Sequence, residues 1–201
     1  MADPTPTIVA PKGDKDYSYL VSPSAVQEQE IIASLKSKFP EVEVKLKQKG
    51  RLECSKFPRE KLVEFCTYLR DSLDFEHVTC VAGNDLKRAW EVIYHISSYK
   101  HRCMIQIRTE LPREDPSVDT ISQLWGGADW HERETYDMYG ITFNNHPKLE
   151  RVLTPEGTDF FPFRKDFKLL DHWKIDWENK GKRPKPEPMV STDTRFGDGN
   201  G

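Results

Sequence analysis

Two alternating runs around a short polar turn constrain this chain more than any other feature. Trp90, Val92, Tyr94 and Ile96 alternate with Glu91, Ile93 and His95; beyond residues 97–100, Cys103, Ile105 and Ile107 alternate with Met104, Gln106 and Arg108. Successive side chains of a strand point to opposite faces, so each run has one apolar face. Two such runs joined by a turn predict an antiparallel hairpin whose apolar side must be covered by something else.

Helical spacing supplies the cover. Val26, Ile31, Ile32, Leu35 and Phe39 predict a helix over 24–38, stopped by Pro40. A second helix carries the stripe Leu62, Phe65, Cys66, Leu69 and Leu73, with Pro58 in its first turn. Between them, Val42, Val44 and Leu46 alternate with Glu43, Lys45 and Lys47, Gly50 sits at a turn, and 51–54 returns as the partner strand. A further strand is expected over 75–81. The order helix, two strands, helix, three strands predicts an α+β fold, a mainly antiparallel sheet with helices on one face.

The ends read differently. Residues 1–22 contain Pro and Asp without periodicity and are expected to be a flexible N-terminal arm, ahead of an α+β domain over 23–116. Residues 117–153 form a helical segment of the same domain. From 154 to 201 periodicity fades into an aromatic, proline-broken run (Phe160, Phe161, Phe163, Phe167), then Trp173, Trp177 and Pro184, Pro186 and Pro188. Such a segment suits an extended C-terminal arm that orders on a partner.

Composition narrows the function classes. Of the 201 residues, 36% are hydrophobic and 31% charged, and the formal net charge is −3, which gives no basic face for nucleic acid. No apolar run is long enough to span a bilayer, and the N-terminus has neither an apolar signal core nor an Arg-rich transit pattern, so a cytosolic chain is expected. Cys54, Cys66, Cys80 and Cys103 are scattered without a C-x-x-C pair, the pattern of small buried hydrophobes rather than of an iron–sulfur or zinc site. No glycine-rich phosphate loop is present.

Chemistry concentrates in residues 132–153. Asp119 or Thr120 could cap a short helix to Trp125. After Gly126 and Gly127, Asp129 could cap the next helix, with Glu132 in capping-box position and Gly140 as its stop. A strand over 141–144 follows. His131-Glu132 starts like the H-E-x-x-H zinc motif, but Thr135 occupies the second histidine position, which removes a shared metal. Glu132, Glu134 and Asp137, with Arg133 four residues before Asp137, admit three readings. They could serve general acid–base work, form a solvated helix face with an (i, i+4) ion pair, or be charges desolvated against a partner. His146-Pro147 is a proton-handling imidazole or, more plainly, a turn residue bonding local backbone.

These same residues resemble the signature of the 30-kDa subunit of complex I, the proton-pumping NADH–quinone oxidoreductase family (its C subunit, known as J in the photosynthetic form). The match falls on Glu132, Arg133, Glu134, Asp137, Gly140, Ile141, Phe143, Asn145, His146, Pro147, Leu149, Arg151 and Leu153, with Val152 where the family has Ile or Leu. Leu153-Thr154-Pro155-Glu156, residues 162–167 and the approach over 124–130 fit as well. The resemblance implies a peripheral-arm subunit with no cofactor of its own. It would pack against the hydrogenase-like D subunit beside the Fe–S subunits B and I, while Fe–S clusters, FMN, NADH and quinone are held by other subunits. Glu132, Arg133, Glu134, Asp137, His146, Arg151, Phe163, Arg164, Lys165 and Asp166 would then be interface residues. Membrane contact would come only through the complex, at the cytoplasmic face of the cell membrane or at a thylakoid. The equivalent subunit of an F420-type dehydrogenase or energy-converting hydrogenase is the alternative on the same module. A stand-alone metal-dependent hydrolase is the distant one.

Overall fold

A computed structural model describes residues 24–48, 50–155 and 157–168. The expected N-terminal arm and the tryptophans and prolines of the tail lie outside these residues. Helix α1 (Ser24–Lys38) leads to the hairpin β1 (Val44–Gln48) and β2 (Arg51–Cys54), and a 3-10 turn at Arg59–Lys61 opens α2 (Leu62–Leu73). Strands β3 (His77–Asp85), β4 (Trp90–Ser98) and β5 (Cys103–Leu111) follow, then β6 (Ser117–Asp119), α3 (Ala128–Tyr139) and β7 (Thr142–Asn144).

The first five strands form one sheet in the order β1-β2-β5-β4-β3, antiparallel except for the parallel β2–β5 pair. The expected hairpin is there in full: Ile96 faces Ile105 and Tyr94 faces Ile107 in register. Its apolar side joins Leu35, Phe39, Leu62, Phe65 and Leu69 of the two helices in one core. Within that core Phe39 and Phe57 pack on Phe65 at ring distances of 5.1 and 4.7 Å, one edge-on and one tilted. The α+β class read from the sequence is therefore the observed one.

Two local expectations changed, and one buried contact was not foreseen. Strand β1 starts at Val44 rather than Val42, and Leu46 is 44% exposed, because β1 is the sheet edge and its register shifts between Leu46 and Gln48. A buried carboxylate, Glu28 of α1, meets the hairpin turn and accepts the Gly50 N–H at 2.5 Å. The helix expected up to Trp125 is only a turn in which Leu124 and Trp125 both donate to the Ile121 carbonyl. Of its proposed caps, Asp119 pairs with Asn144 in the parallel β6–β7 ladder. The Thr120 hydroxyl does cap the turn by accepting the Ser122 N–H at 3.0 Å, while its own N–H continues the ladder to the Asn144 carbonyl.

Helix α3 packs against the outer strand β3. It begins at Ala128 after Gly127, with no side-chain cap, so Asp129 is not its cap and Glu132 closes no capping box. Gly140 ends it as expected, with φ +73° and its N–H on the Tyr136 carbonyl at 2.8 Å.

Candidate functional site

The charges of α3 turn inward. Asp137 is fully buried, and its carboxylate collects five donors from a turn 14 to 17 residues further on. Oδ2 accepts the backbone N–H groups of Val152, Leu153 and Thr154 at 2.9, 2.7 and 2.9 Å. Oδ1 accepts Arg151 Nη1 at 2.7 Å and the Thr154 hydroxyl. Burial opposes ionisation, but the Thr154 hydroxyl and the three amides outweigh it and hold the carboxyl well below the usual range. Arg151 carries the bracing onward, donating from Nη2 to the carbonyls of Thr158 and Phe160 at 2.8 and 3.3 Å. One acidic side chain, with its arginine, thus ties down residues 151–154, 158 and 160.

Glu132 makes the second buried hub. Its side chain is fully buried; Oε1 accepts Ile121 N–H at 2.9 Å, and Oε2 accepts the Thr120 hydroxyl. Here burial wins: desolvation, with a smaller push from the Asp129 charge, outweighs both hydrogen bonds and raises the carboxyl to about 7. His146 closes the group with a side chain that is also fully buried, Nε2 lying 3.8 Å from Glu132 and 3.9 Å from Asp129. Its Nδ1 accepts the Lys148 N–H at 3.1 Å, the local backbone bond of a turn residue, and its Nε2 reaches no acceptor within hydrogen-bond distance among the described residues.

A third set of contacts holds residues 160–165. Arg164 donates from Nε to the Tyr139 carbonyl at 2.7 Å and lies over the rings of Phe161 and Trp90, 4.1 and 4.9 Å from their centroids. Arg113 also stacks on Trp90, at 3.9 Å. Phe163 N–H donates to the Met138 carbonyl at 3.1 Å, and Lys165 N–H to the buried Asp85 at 2.9 Å. Asp85 accepts Arg113 and the Lys87 N–H as well. The compact unit accordingly runs through Lys165, so the stretch 154–165, expected in the arm, is part of the body.

The structure therefore divides the ten candidate residues. Glu132, Asp137, Arg151 and Arg164 spend their polar groups inside the chain, whereas His146 does so only through Nδ1, its buried Nε2 having no hydrogen-bond partner among the described residues. Arg133 makes no pair with Asp137; it donates to the Glu150 carbonyl at 3.2 Å, sits 3.9 Å from Asp129 and lies over the Trp130 ring. Glu134, Phe163 and the Lys165 side chain face outward, and Asp166 is exposed in the separate unit that begins there. Sequence reasoning placed Trp130 and Leu153 in the matching pattern but not among the interface candidates, although they are 62% and 64% exposed. It missed Asp85 altogether and gave Thr120 and Thr154 no role toward Glu132 and Asp137, since these contacts depend on donors and acceptors distant in sequence. Cys54, Cys66 and Cys103 are buried as expected, while Cys80 is half-buried. Among the described residues no three His, Cys, Asp or Glu side chains are grouped to hold a metal ion, and no helix is long and apolar enough to cross a membrane.

An α+β body whose buried carboxylates brace its own turns, with large apolar side chains left outside, has the form of one part of an assembly. Residues 55–172 match the profile of a family described as respiratory-chain NADH dehydrogenase, 30 Kd subunit, and the chain belongs to that family. It is 37% identical over 142 residues to the C subunit of the F(420)H(2) dehydrogenase of Methanosarcina mazei, covering 68% of this chain and 89% of that one. To the C subunit of the NADH-quinone oxidoreductase of Phenylobacterium zucineum it is 34% identical over 141 residues, covering 69% and 67%. The fold is similar to a chain of the membrane-bound sulfane sulfur reductase, an archaeal respiratory membrane complex, with TM-score 0.66 at 25% identity over 73% of this chain and 88% of that one. It is also similar to a trypsin-resistant fragment of Nqo5, with TM-score 0.52 at 26% identity over 61% and 99%.

Proposed function

We propose that this chain is a structural subunit of a membrane-associated NADH–quinone oxidoreductase and carries no catalytic activity by itself. The observation that carries the reading is the division of roles in residues 130–163. Buried carboxylates brace the turns, and Trp130, Leu153 and Phe163 are left outside on hydrogen-bonded backbone. Large apolar side chains held exposed cost solvation, and they suit an interface whose anchors need no reordering on docking. Its neighbours on this reading are the hydrogenase-like D subunit and the Fe–S subunits B and I. Fe–S clusters and FMN, NADH and quinone belong to those and other subunits. The chain would reach the cytoplasmic face of the membrane through them.

The similarity to an F(420)H(2) dehydrogenase subunit favours a second donor on the same scaffold. Affinity purification of the tagged chain from its host tests both. Co-purification with a hydrogenase-like subunit, Fe–S subunits and an NADH-oxidising flavoprotein is expected. An F420H2-oxidising partner instead would select the second reading. A lone monomer with its own turnover would overturn both.

A further inference from the structure

Where α3 meets β3, the surface holds a cavity of about 160 Å³ lined by Cys80, Ala82, Gly83, Met138, Tyr139 and Phe163, with Glu134 beside them. Its walls are set by close contacts. Gly83 lets the Tyr139 ring rest on the strand, since a methyl there would stand 2.5 Å from Tyr139 Cδ2. Tyr139 meets Phe163 edge to face at 5.7 Å, and the Phe163 backbone is tied to Met138. Phe163 nonetheless keeps 56% of its surface exposed. An apolar cavity of about 150 Å³ admits a molecule the size of benzene, so this one accommodates a single branched aliphatic or aromatic side chain. Glu134 is exposed, is the only charged residue lining the cavity, and forms no ion pair among the described residues.

From these features we infer that the cavity is a docking socket for one apolar side chain of a different subunit, next to a lysine or arginine that pairs with Glu134. The inference rests on the assembly reading above. An apolar hole beside a single unpaired carboxylate is complementary to an apolar anchor with an adjacent cation. A second copy of this chain is a poorer fit, because the cations beside its exposed apolar side chains are already engaged. Lys45 and Lys47 beside Leu46 pair with Glu43 and Glu53, Lys100 beside Tyr99 pairs with Asp74, and Arg133 over Trp130 bonds the Glu150 carbonyl.

Cys80 makes the socket measurable. It lines the cavity and is half-buried, whereas Cys54, Cys66 and Cys103 are buried, so a maleimide reports access to this site. The experiment compares Cys80 labelling by mass spectrometry in the full isolated chain and in the complex purified from its host. Labelling is expected to slow by at least about tenfold in the complex, since the thiol must be reached to react. Equal rates in a complex that contains the other subunits would overturn the socket and leave the assembly reading standing. Recovery of no complex would overturn both. Protection that rises with the concentration of the isolated chain would assign the socket to a second copy. Ala82→Phe, which fills the hole, and Glu134→Lys, which reverses its charge, should each lower complex recovery while the melting curve of the Glu134→Lys chain stays unchanged. Undiminished recovery with both variants would overturn the proposal.

Discussion

The Arg164 side chain lies directly over Gly140, so close that even a methyl group at that position would collide with its guanidinium and with the Phe161 ring. The same guanidinium group bonds the Tyr139 carbonyl at the end of α3. Gly140 thus meets two requirements at once, a left-handed turn with φ +73° and room for the segment 160–165. Gly140→Ala combines left-handed strain of roughly 1–2 kcal/mol with displacement of Arg164. It should lower stability and open residues 160–165 to limited proteolysis. Unchanged melting and unchanged proteolysis would remove Arg164 as a clamp.

Asp137 offers a sharper test, because every acceptor site on its carboxylate faces a donor. Asn at this position would aim an NH2 group either at three backbone N–H groups or at Arg151 and Thr154. Asp137→Asn also leaves Arg151, whose side chain is only 10% exposed, without its counter-charge. Removing one partner of a buried pair costs about 3–5 kcal/mol, and a loss of that size is expected in urea denaturation. A loss below about 1 kcal/mol, the range of an exposed ion pair, would contradict the geometry.

Two of the buried carboxylates, Glu132 and Asp137, should respond to pH with opposite signs. Glu132 binds its proton more tightly when folded, at about 7 against 4.5. Its contribution favours the folded state in acid and is lost as pH rises from about 4.5 to about 7, worth on the order of 3 kcal/mol. Asp137 is depressed, so its contribution is present above the ordinary carboxylate range and is lost in stronger acid. Glu132→Gln keeps an acceptor for Ile121 N–H and cannot ionise. Its melting temperature should vary less than wild type between pH 5 and about pH 7.5, and a parallel profile would remove Glu132 as the titrating group.

Trp130→Ala and Leu153→Ala should separate docking from folding. Both side chains are largely exposed, so each change should alter stability by no more than about 0.5 kcal/mol. Recovery of the assembled complex with the tagged chain should fall. Normal recovery of the double variant would place the interface elsewhere on the surface.

How much of this was legible depends on which neighbours set each feature. The β4–β5 hairpin could be read because its partners are close in sequence and period two names the buried face. The parallel pairing of Arg51 with Met104 could not, since alternation fixes which way a side chain points and not which strand lies beside it. Glu132 looked like half of a capping box by spacing. Tertiary donors at Thr120 and Ile121 claimed its oxygens instead. Asp137 looked like a surface helix charge for the same reason, because its five donors begin at Arg151. The signature is legible as a pattern, whereas its inward orientation is set by donors distant in sequence.

The parallel β2–β5 seam has a consequence for how this chain is made. Translation delivers α1, β1, β2 and α2 well before the strand that fills the sheet between β2 and β4, about fifty positions after β2. Until β5 emerges, one side of β2 stays unpaired and the apolar stripe of α2 lacks most of its sheet. Such non-local closure is slow and leaves the nascent chain open to aggregation. Ribosome-bound chains ending before Leu111 should therefore remain protease-sensitive, with resistance appearing once β5 has cleared the exit tunnel.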